Sequence, residues 1–179
     1  MKKLLGIILG GILGGLVLTT SVSAQTPLSL GFDQIHLGMT LAQVKQELSH
    51  SGYFQWSGGP QVTLLAKPNN SLIDVPGISY FRRGVFQFHQ GILFVASYDL
   101  NPQEFDYYGL YTALVKKYGQ PGELDPSMAA WSDGKTRLSL ERPLTIKYVD
   151  LTIEAKIKQN SQAGKDYQQI SREKFLELF

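Results

Sequence analysis

The chain has 179 residues, of which 43% are hydrophobic and 11% aromatic, values typical of a globular protein with a buried core. Its formal net charge is +2, but without Lys2 and Lys3 the 17 basic residues fall to 15 and balance the 15 acidic ones. A neutral chain without a basic run gives no electrostatic reason to expect nucleic acid or an anionic membrane as a partner. The absence of cysteine excludes disulfides, thiol catalysis, thiolate metal sites and a lipid on a cysteine at a cleavage point.

Residues 1–24 have the three parts of a secretory signal peptide: a positive start, an apolar stretch and a tail of small residues that ends at Ala24. The apolar stretch, from Leu4 to Leu18, has 15 residues, whereas a membrane span needs about twenty. We therefore expect cleavage near Ala24 and a soluble protein, periplasmic or otherwise extracytoplasmic, without direct membrane anchoring. The alternative is an uncleaved membrane anchor.

The first structural signals lie just after a short polar leader. The segment Phe32–Leu37 predicts a strand, and the apolar spacing that follows predicts a helix from Leu41 to about His50. Thr40 and Gln43 have the spacing of a capping box, in which each side chain bonds the backbone N–H of the other residue. Gly52 is suited to end this helix in the left-handed conformation.

The middle of the chain predicts strands separated by turn signals. In chain order these strands are Val62–Ala66, Ser71–Val75, Val85–His89 and Ile92–Tyr98. The pair Gln90-Gly91 suits a tight turn between the last two strands. Phe86 and Phe88 alternate with polar residues, which is typical of a sheet with one covered face.

A second helix follows, with Asn101 as its predicted cap, Pro102 in its first turn, Glu104 at the capping-box position and Gly119 at its end. The remaining predicted elements are a hairpin of Met128–Ser132 and Thr136–Glu141 around an Asp133-Gly134 turn, a strand over Leu144–Tyr148, a polar stretch over 159–166 and a short final helix from Ser171.

This order predicts an α+β fold of two tandem helix-plus-antiparallel-meander modules, packed as a helix layer on a sheet, with a short C-terminal helix. The predicted boundaries are a signal peptide at 1–24, a polar leader at 25–31, an α+β domain at 32–158 with modules 32–100 and 101–158, and a polar linker with the C-terminal helix at 159–179. The sequence does not decide whether the two modules share one sheet.

Two motifs resemble those of small exported bacterial domains. The stretch Leu37-Gly-Met-Thr-Leu-Ala-Gln-Val-Lys-Gln-Glu-Leu48 is similar to the helix entry of the SmpA/OmlA-like subunit of the outer-membrane β-barrel assembly machine and of β-lactamase-inhibitor-like tandem domains. Leu114-Val-Lys-Lys-Tyr-Gly-Gln-Pro121, with Trp131, Ser-Asp-Gly-Lys and Leu138-Ser-Leu140, resembles their second module. The resemblance spans about 32–150 and implies a protein that acts by binding proteins. The chain lacks the lipidated cysteine of the assembly-machine subunit.

The sequence carries no recognisable catalytic pattern. His36, His50 and His89 lack the spacing of metal ligands, and there is neither a Gly-x-Ser-x-Gly elbow nor a phosphate-binding loop. We therefore expect no catalytic residues, no metal and no cofactor, and a protein that is not an enzyme.

The candidate partner-binding residues are two aromatic residues before a loop and an adjacent arginine pair: Phe54, Trp56, Arg82 and Arg83. Aromatic side chains give a partner a large contact area, and arginine binds anionic groups. The alternative is that the aromatic residues fill the core and that the arginines protect a strand edge. The same two interpretations apply to the helix tyrosines Tyr107, Tyr108 and Tyr111, for which core filling is favoured by their helical spacing.

The sequence thus predicts a non-enzymatic exported protein that binds another cell-envelope protein, of unknown identity, through a sheet face or edge. The alternative is a periplasmic carrier or sensor of a small apolar ligand, held between the two modules by the aromatic residues. The oligomeric state is left open, with a monomer as one outcome.

Overall fold

A computed structural model describes residues 27–58, 62–64 and 70–162 of the chain. The fold is α+β, as predicted. In chain order the elements are β1 (Gly31–Phe32), β2 (Ile35–His36), α1 (Leu41–His50), β3 (Val62–Leu64), β4 (Asn70–Pro76), β5 (Phe81–His89), β6 (Ile92–Leu100), α2 (Tyr107–Tyr118), β7 (Glu123–Leu124), β8 (Met128–Ser132), β9 (Thr136–Glu141) and β10 (Thr145–Asp150), followed by a helix over residues 151–162, here called α3.

Eight of the described strands form one antiparallel sheet, in the order β3-β4-β5-β6-β10-β9-β8-β7. The four strands that follow α1 make one half of this sheet, and the four that follow α2 make the other half. The halves meet where β6 pairs with β10, with Tyr98 opposite Ile146 and Ala96 opposite Tyr148. The two helix-and-strand units therefore share a sheet, a point that the sequence leaves undecided.

The start of α1 is confirmed in detail. The Thr40 hydroxyl accepts a hydrogen bond from the Gln43 backbone N–H, at 3.3 Å, and Gln43 Oε1 accepts one from the Thr40 backbone N–H, at 2.8 Å. The helix ends differently from the prediction. Its C-cap is Ser51 in an extended conformation, and Gly52 does not have a positive φ.

The strand predicted over Phe32–Leu37 is wrong in its extent, because the segment folds back on itself as the two short strands β1 and β2. The turn between them contains Asp33 with a φ of 53°, a conformation that aspartate adopts more readily than most residues. The central residues Asp33 and Gln34 are exposed, so this polar pair marks a turn instead of the middle of a strand.

The helix α2 begins later than predicted. Asp106 is its N-cap, because its Oδ1 accepts a hydrogen bond from the Gly109 N–H at 2.8 Å. The predicted cap, Asn101, instead stabilises a turn: its Oδ1 accepts from the Gln103 N–H, at 3.1 Å, and its amide donates to the Ser79 carbonyl, at 3.0 Å. Gly119 ends the helix with a φ of 81°, as predicted.

Both predicted hairpins are present. Gln90 and Gly91 have φ values of 53° and 77°, which a two-residue turn of the mirror-image type requires. The loop between β8 and β9 is different, because Gly134 is left-handed whereas Asp133 is not. There the Asp133 carboxylate accepts hydrogen bonds from the N–H groups of Lys135, at 2.9 Å, and Thr136, at 2.7 Å.

The main buried cluster joins Val44 and Leu48 of α1 and Tyr118 of α2 to residues on one face of the sheet. A second cluster contains Val149 and packs with isoleucines of α3. Since neighbouring residues of a strand point to opposite faces, Val149 lies on the face opposite to Tyr148, which belongs to the main cluster. The helix α3 therefore covers part of the face that the sequence analysis expects to be uncovered.

The helix α3 occurs where the sequence predicts no helix. Asp150 caps it, with Oδ1 accepting hydrogen bonds from the N–H groups of Thr152, at 2.8 Å, and Ile153, at 3.0 Å. It also occupies the first residues of 159–166, the predicted polar linker.

The signal peptide at 1–24 and the final helix predicted from Ser171 lie outside the described residues. Among the helices described, none has the length and apolar character needed to cross a membrane.

Candidate ligand-binding cavity

The four residues predicted to bind a partner do not form one surface. Phe54 is only 4% exposed and belongs to the main core, and Trp56 is half-buried against it. Arg82 and Arg83 are exposed, and Arg83 forms a two-bond ion pair with Asp74, with Nε 2.7 Å from Oδ1. This hydrogen-bonded partner lowers the pKa of Asp74. Because Asp74 alternates with buried residues of β4, the ion pair lies on the sheet face opposite to Phe54.

The tyrosines of α2 divide between the two interpretations. The Tyr107 hydroxyl donates to the Leu140 carbonyl at 3.2 Å, and the Tyr111 ring lies 6.4 Å from that of Trp131. These two tyrosines fill the space between α2 and the sheet. Tyr108, by contrast, is 74% exposed.

A cavity of about 270 Å³ lies between the two halves of the fold, and we call it the aromatic cavity. The first half contributes Phe32, Tyr53, Tyr80, Phe81, Tyr98 and Leu100, and the second half contributes Phe105, Leu110, Ile146 and Tyr148. All ten residues are aliphatic or aromatic, and their polar side-chain atoms are tyrosine hydroxyls. An apolar cavity of about 150 Å³ is large enough for benzene, so this one has room for a small apolar molecule.

The floor of the aromatic cavity is the seam between the halves of the sheet. Tyr98 and Leu100 are two residues apart on β6, and Ile146 and Tyr148 are two residues apart on β10. Each pair therefore points to one face, and the register that places Tyr98 opposite Ile146 brings the pairs together.

The rim of the cavity is aromatic and also crosses from one half to the other. The Tyr80 ring is 47% exposed and lies 5.6 Å from the Phe105 ring. Asn101 holds this turn in place, because its backbone N–H donates to the Tyr80 carbonyl at 2.9 Å and its amide donates to Ser79. Ser79 has a φ of 55°, so the turn that presents Tyr80 contains a left-handed residue.

Tyr98 is the unusual polar residue of this site. It is 1% exposed, and its hydroxyl is the only buried side-chain polar atom of the described residues without a hydrogen-bond partner. Burial raises the pKa of Tyr98 far above its usual range, with a smaller contribution from Tyr148, while the Phe32 backbone N–H acts in the opposite direction. The hydroxyl therefore keeps its proton, so it has an O–H to donate as well as an oxygen that can accept.

Two other cavities have polar groups that already bond within the fold. One, of about 620 Å³, lies at the β7–β8 edge and includes Asp133, which accepts backbone N–H groups, and Arg137, which pairs with Glu154 at 3.6 Å. The other, of about 350 Å³, adjoins the aromatic cavity and includes Asp99, which accepts a bond from the Thr145 hydroxyl at 2.8 Å. Arg82 also lines this second cavity. In the part of the chain that the structure describes, neither cavity presents a buried polar atom without a partner.

Phe54 and Trp56, the aromatic residues that the sequence singles out for binding, do not line the aromatic cavity. Tyr53, Tyr80 and Phe105 line it instead. Tyr80 comes directly before β5, and Phe105 comes shortly before α2. Aromatic residues at such positions, next to the start of a strand or helix, are the sequence signal that could have identified these two. The described residues contain no group of three or more His, Cys, Asp or Glu side chains that could hold a metal ion.

Comparison with known proteins places the chain in a family. No curated protein and no solved structure matches it. The TP0088 domain matches residues 30–160, a range that begins just before β1, ends within α3 and includes every residue of the aromatic cavity. Because this range covers more than half of the 179 residues, the chain belongs to the TP0088 domain family.

Proposed function

We propose that this protein is a non-enzymatic binding protein of the cell envelope, and that it holds a small apolar ligand in the aromatic cavity as a carrier or sensor. The observation that supports this proposal is the composition of the cavity wall, in which both halves of the fold place aliphatic and aromatic side chains around a volume of about 270 Å³. Such a wall favours an apolar ligand because binding removes apolar surface of both partners from water.

The proposal is tested with two matched variants of α2. Leu110 and Leu114 are one helical turn apart, and both are half-buried against the main core, but Leu110 lines the aromatic cavity and Leu114 does not. Leu110→Phe adds volume at the cavity wall, and Leu114→Phe adds the same volume elsewhere. Binding of cumene, an alkylbenzene, is followed by NMR titration of the purified protein.

We expect cumene to shift the resonances of cavity residues in the wild-type protein. Leu110→Phe should weaken its binding about tenfold, which corresponds to about 1.4 kcal/mol, whereas Leu114→Phe should leave it unchanged. Thermal unfolding of both variants shows whether they remain folded. The absence of cumene binding to the wild type, or equal weakening by both substitutions, would contradict the proposal.

A second candidate is the protein-binding function that the sequence predicts, through an edge of the sheet. The observation that favours it is β7, the last strand of the described sheet, whose two residues are exposed, with Leu124 64% exposed. An exposed edge strand can pair with a strand of another chain. A photo-crosslinking residue at position 124 should then form an adduct with an envelope protein, while the same residue at exposed Ser132 should not. Equal labelling from both positions would exclude this edge as the binding site.

A further inference from the structure

The Tyr98 hydroxyl is the starting point, because buried polar side-chain atoms almost always have a hydrogen-bond partner. Tyr98 is the largest of the fully buried side chains, and no described residue bonds its hydroxyl. A phenol that loses its bonds to water on folding and gains none destabilises the folded protein. Since a phenylalanine would fill the same space without this cost, the hydroxyl calls for an explanation.

The position of Tyr98 connects this hydroxyl to the aromatic cavity. Its ring centroid lies 5.7 Å from that of Phe32, 5.9 Å from that of Phe81 and 6.1 Å from that of Tyr148, and all of these residues line the cavity. The Tyr148 hydroxyl, the Phe32 backbone N–H and the Asp33 carboxylate all act on the pKa of Tyr98. The Tyr98 hydroxyl is itself fully buried, so it lies behind the cavity wall, next to Phe32 and the turn between β1 and β2.

A water molecule is a poor partner for this hydroxyl. A buried water needs two to four polar partners, and the other polar side-chain atoms of the wall are the hydroxyls of Tyr53, Tyr80 and Tyr148. Tyr53 is half-buried and Tyr80 is 47% exposed, so only Tyr148 is buried beside Tyr98, and a water held by these two hydroxyls would have the minimum number of side-chain partners. A ligand with an acceptor atom would satisfy the Tyr98 hydroxyl, and the apolar part of the same ligand would fill the aromatic cavity.

Phe32 is the side chain that a ligand would have to move. Its ring lies 5.0 Å from that of Phe81 and 5.3 Å from that of Tyr53, and the residue is half-buried. It belongs to β1, which pairs with β2 in a two-stranded ribbon and not with the eight-stranded sheet. Rotation of this ring therefore breaks no hydrogen bond of the main sheet.

From these observations we infer that the aromatic cavity selects a small ligand whose apolar body carries a hydrogen-bond acceptor, such as a carbonyl oxygen, and that the Tyr98 hydroxyl donates to that acceptor. This inference rests on the proposed function. It adds a chemical class: a neutral molecule with one acceptor is preferred over a hydrocarbon of the same shape. Tyr98 is then a specificity-determining residue as well as a core residue.

The test uses two probes of nearly the same size, acetophenone, which has a carbonyl group, and cumene, which does not. Both are titrated into the wild-type protein, Tyr98→Phe and the matched control Tyr148→Phe, which also removes a hydroxyl from the cavity wall. We expect Tyr98→Phe to weaken acetophenone binding about fivefold and to leave cumene binding unchanged. Tyr148→Phe should leave the preference for acetophenone intact.

Infrared spectroscopy gives a second readout, and its main result needs only the wild-type protein. In the wild-type protein, the C=O stretch of bound acetophenone should lie at a lower frequency than that of a carbonyl without a hydrogen bond, because a hydrogen bond weakens the C=O bond. In Tyr98→Phe, the stretch should return to the higher frequency. An unshifted stretch, or a preference for acetophenone that is lost in Tyr148→Phe instead, overturns the inference while cumene binding still supports the proposed function. If neither probe binds the wild type, the proposed function itself fails.

Discussion

The substitution Gly84→Ala tests how tightly the aromatic core is packed beneath the cavity. Gly84 lies on β5, opposite Val75 on β4 and Tyr98 on β6, and it is buried. A Cβ atom at this position would lie 2.8 Å from Cε1 of Phe54 and 3.1 and 3.2 Å from two ring carbons of Phe86. The first distance is well below van der Waals contact, so the Phe54 ring would have to move.

The structure gives the Phe54 ring little freedom to move. It is 4% exposed and lies 5.3 Å from the Phe81 ring and 6.1 Å from the Tyr98 ring. The backbone around it is also held, because the Gln55 N–H donates to the Pro76 carbonyl at 2.9 Å. Overpacking of this kind costs about 1–3 kcal/mol, while replacing glycine by alanine recovers about 0.4–1 kcal/mol by restricting the unfolded chain. We therefore expect a net loss of about 1–2 kcal/mol.

The assay is urea unfolding of the purified protein, with Gly122→Ala as the control. Gly122 is exposed and does not have a positive φ, and a Cβ atom added to it would meet no atom within 4 Å. Its substitution should therefore be neutral or slightly stabilising. In the background of Phe54→Ala, which removes the ring, Gly84→Ala should no longer destabilise the protein. A Gly84→Ala variant as stable as the wild type, or one equally destabilised in both backgrounds, would refute the steric argument.

Three further predictions concern hydrogen bonds that the structure makes explicit, each checked by urea unfolding. Thr40→Ala removes the capping box with Gln43 and should cost about 1 kcal/mol, and an unchanged midpoint would show that the cap is not formed. Asp133→Ala should also cost about 1 kcal/mol at neutral pH. The pKa of Asp133 is lowered below its ordinary 3.8 by bonds from backbone N–H groups, so its stabilisation is complete above that value and is lost as the pH falls through the lower folded-state pKa. The difference between the variant and the wild type should therefore shrink in acid, and a constant difference would contradict this assignment. Trp131→Phe removes the Nε1 bond to the Gly119 carbonyl, 2.8 Å long, and should cost about 1–3 kcal/mol; a loss below about 0.5 kcal/mol would show that the bond contributes little.

The elements that the sequence predicts well are those whose signals are local. The capping box of Thr40 and Gln43 needs only two residues three positions apart, and it is present as predicted. The same holds for the left-handed Gly119 and for the Gln90-Gly91 turn, because glycine adopts a positive φ at little steric cost, although Gly52, predicted in the same way, does not adopt one. The α+β class follows from the order of these elements.

Local signals fail where several residues compete for one role. Asn101 and Asp106 are both good helix caps, and the local pattern favours the first of them, but Asn101 has a distant partner in the Ser79 carbonyl. The segment Phe32–Leu37 is predicted as one strand, although the side chain of Asp33 favours a turn. The bond to Ser79 decides the role of Asn101, and the turn preference of Asp33 decides the shape of its segment.

The sequence by itself therefore determined the start of α1, the end of α2 at Gly119, the Gln90-Gly91 turn and the alternation that gives strands such as β5 an apolar face. Only the tertiary structure decided how the two halves of the sheet meet, because the β6–β10 pairing joins residues about fifty positions apart and no local property encodes it. That pairing places Tyr98 beside Ile146 and so builds the floor of the aromatic cavity. It also decided that Phe54 is a core residue and that the Tyr98 hydroxyl is enclosed without a partner among the described residues, since burial depends on which side chains the fold brings together.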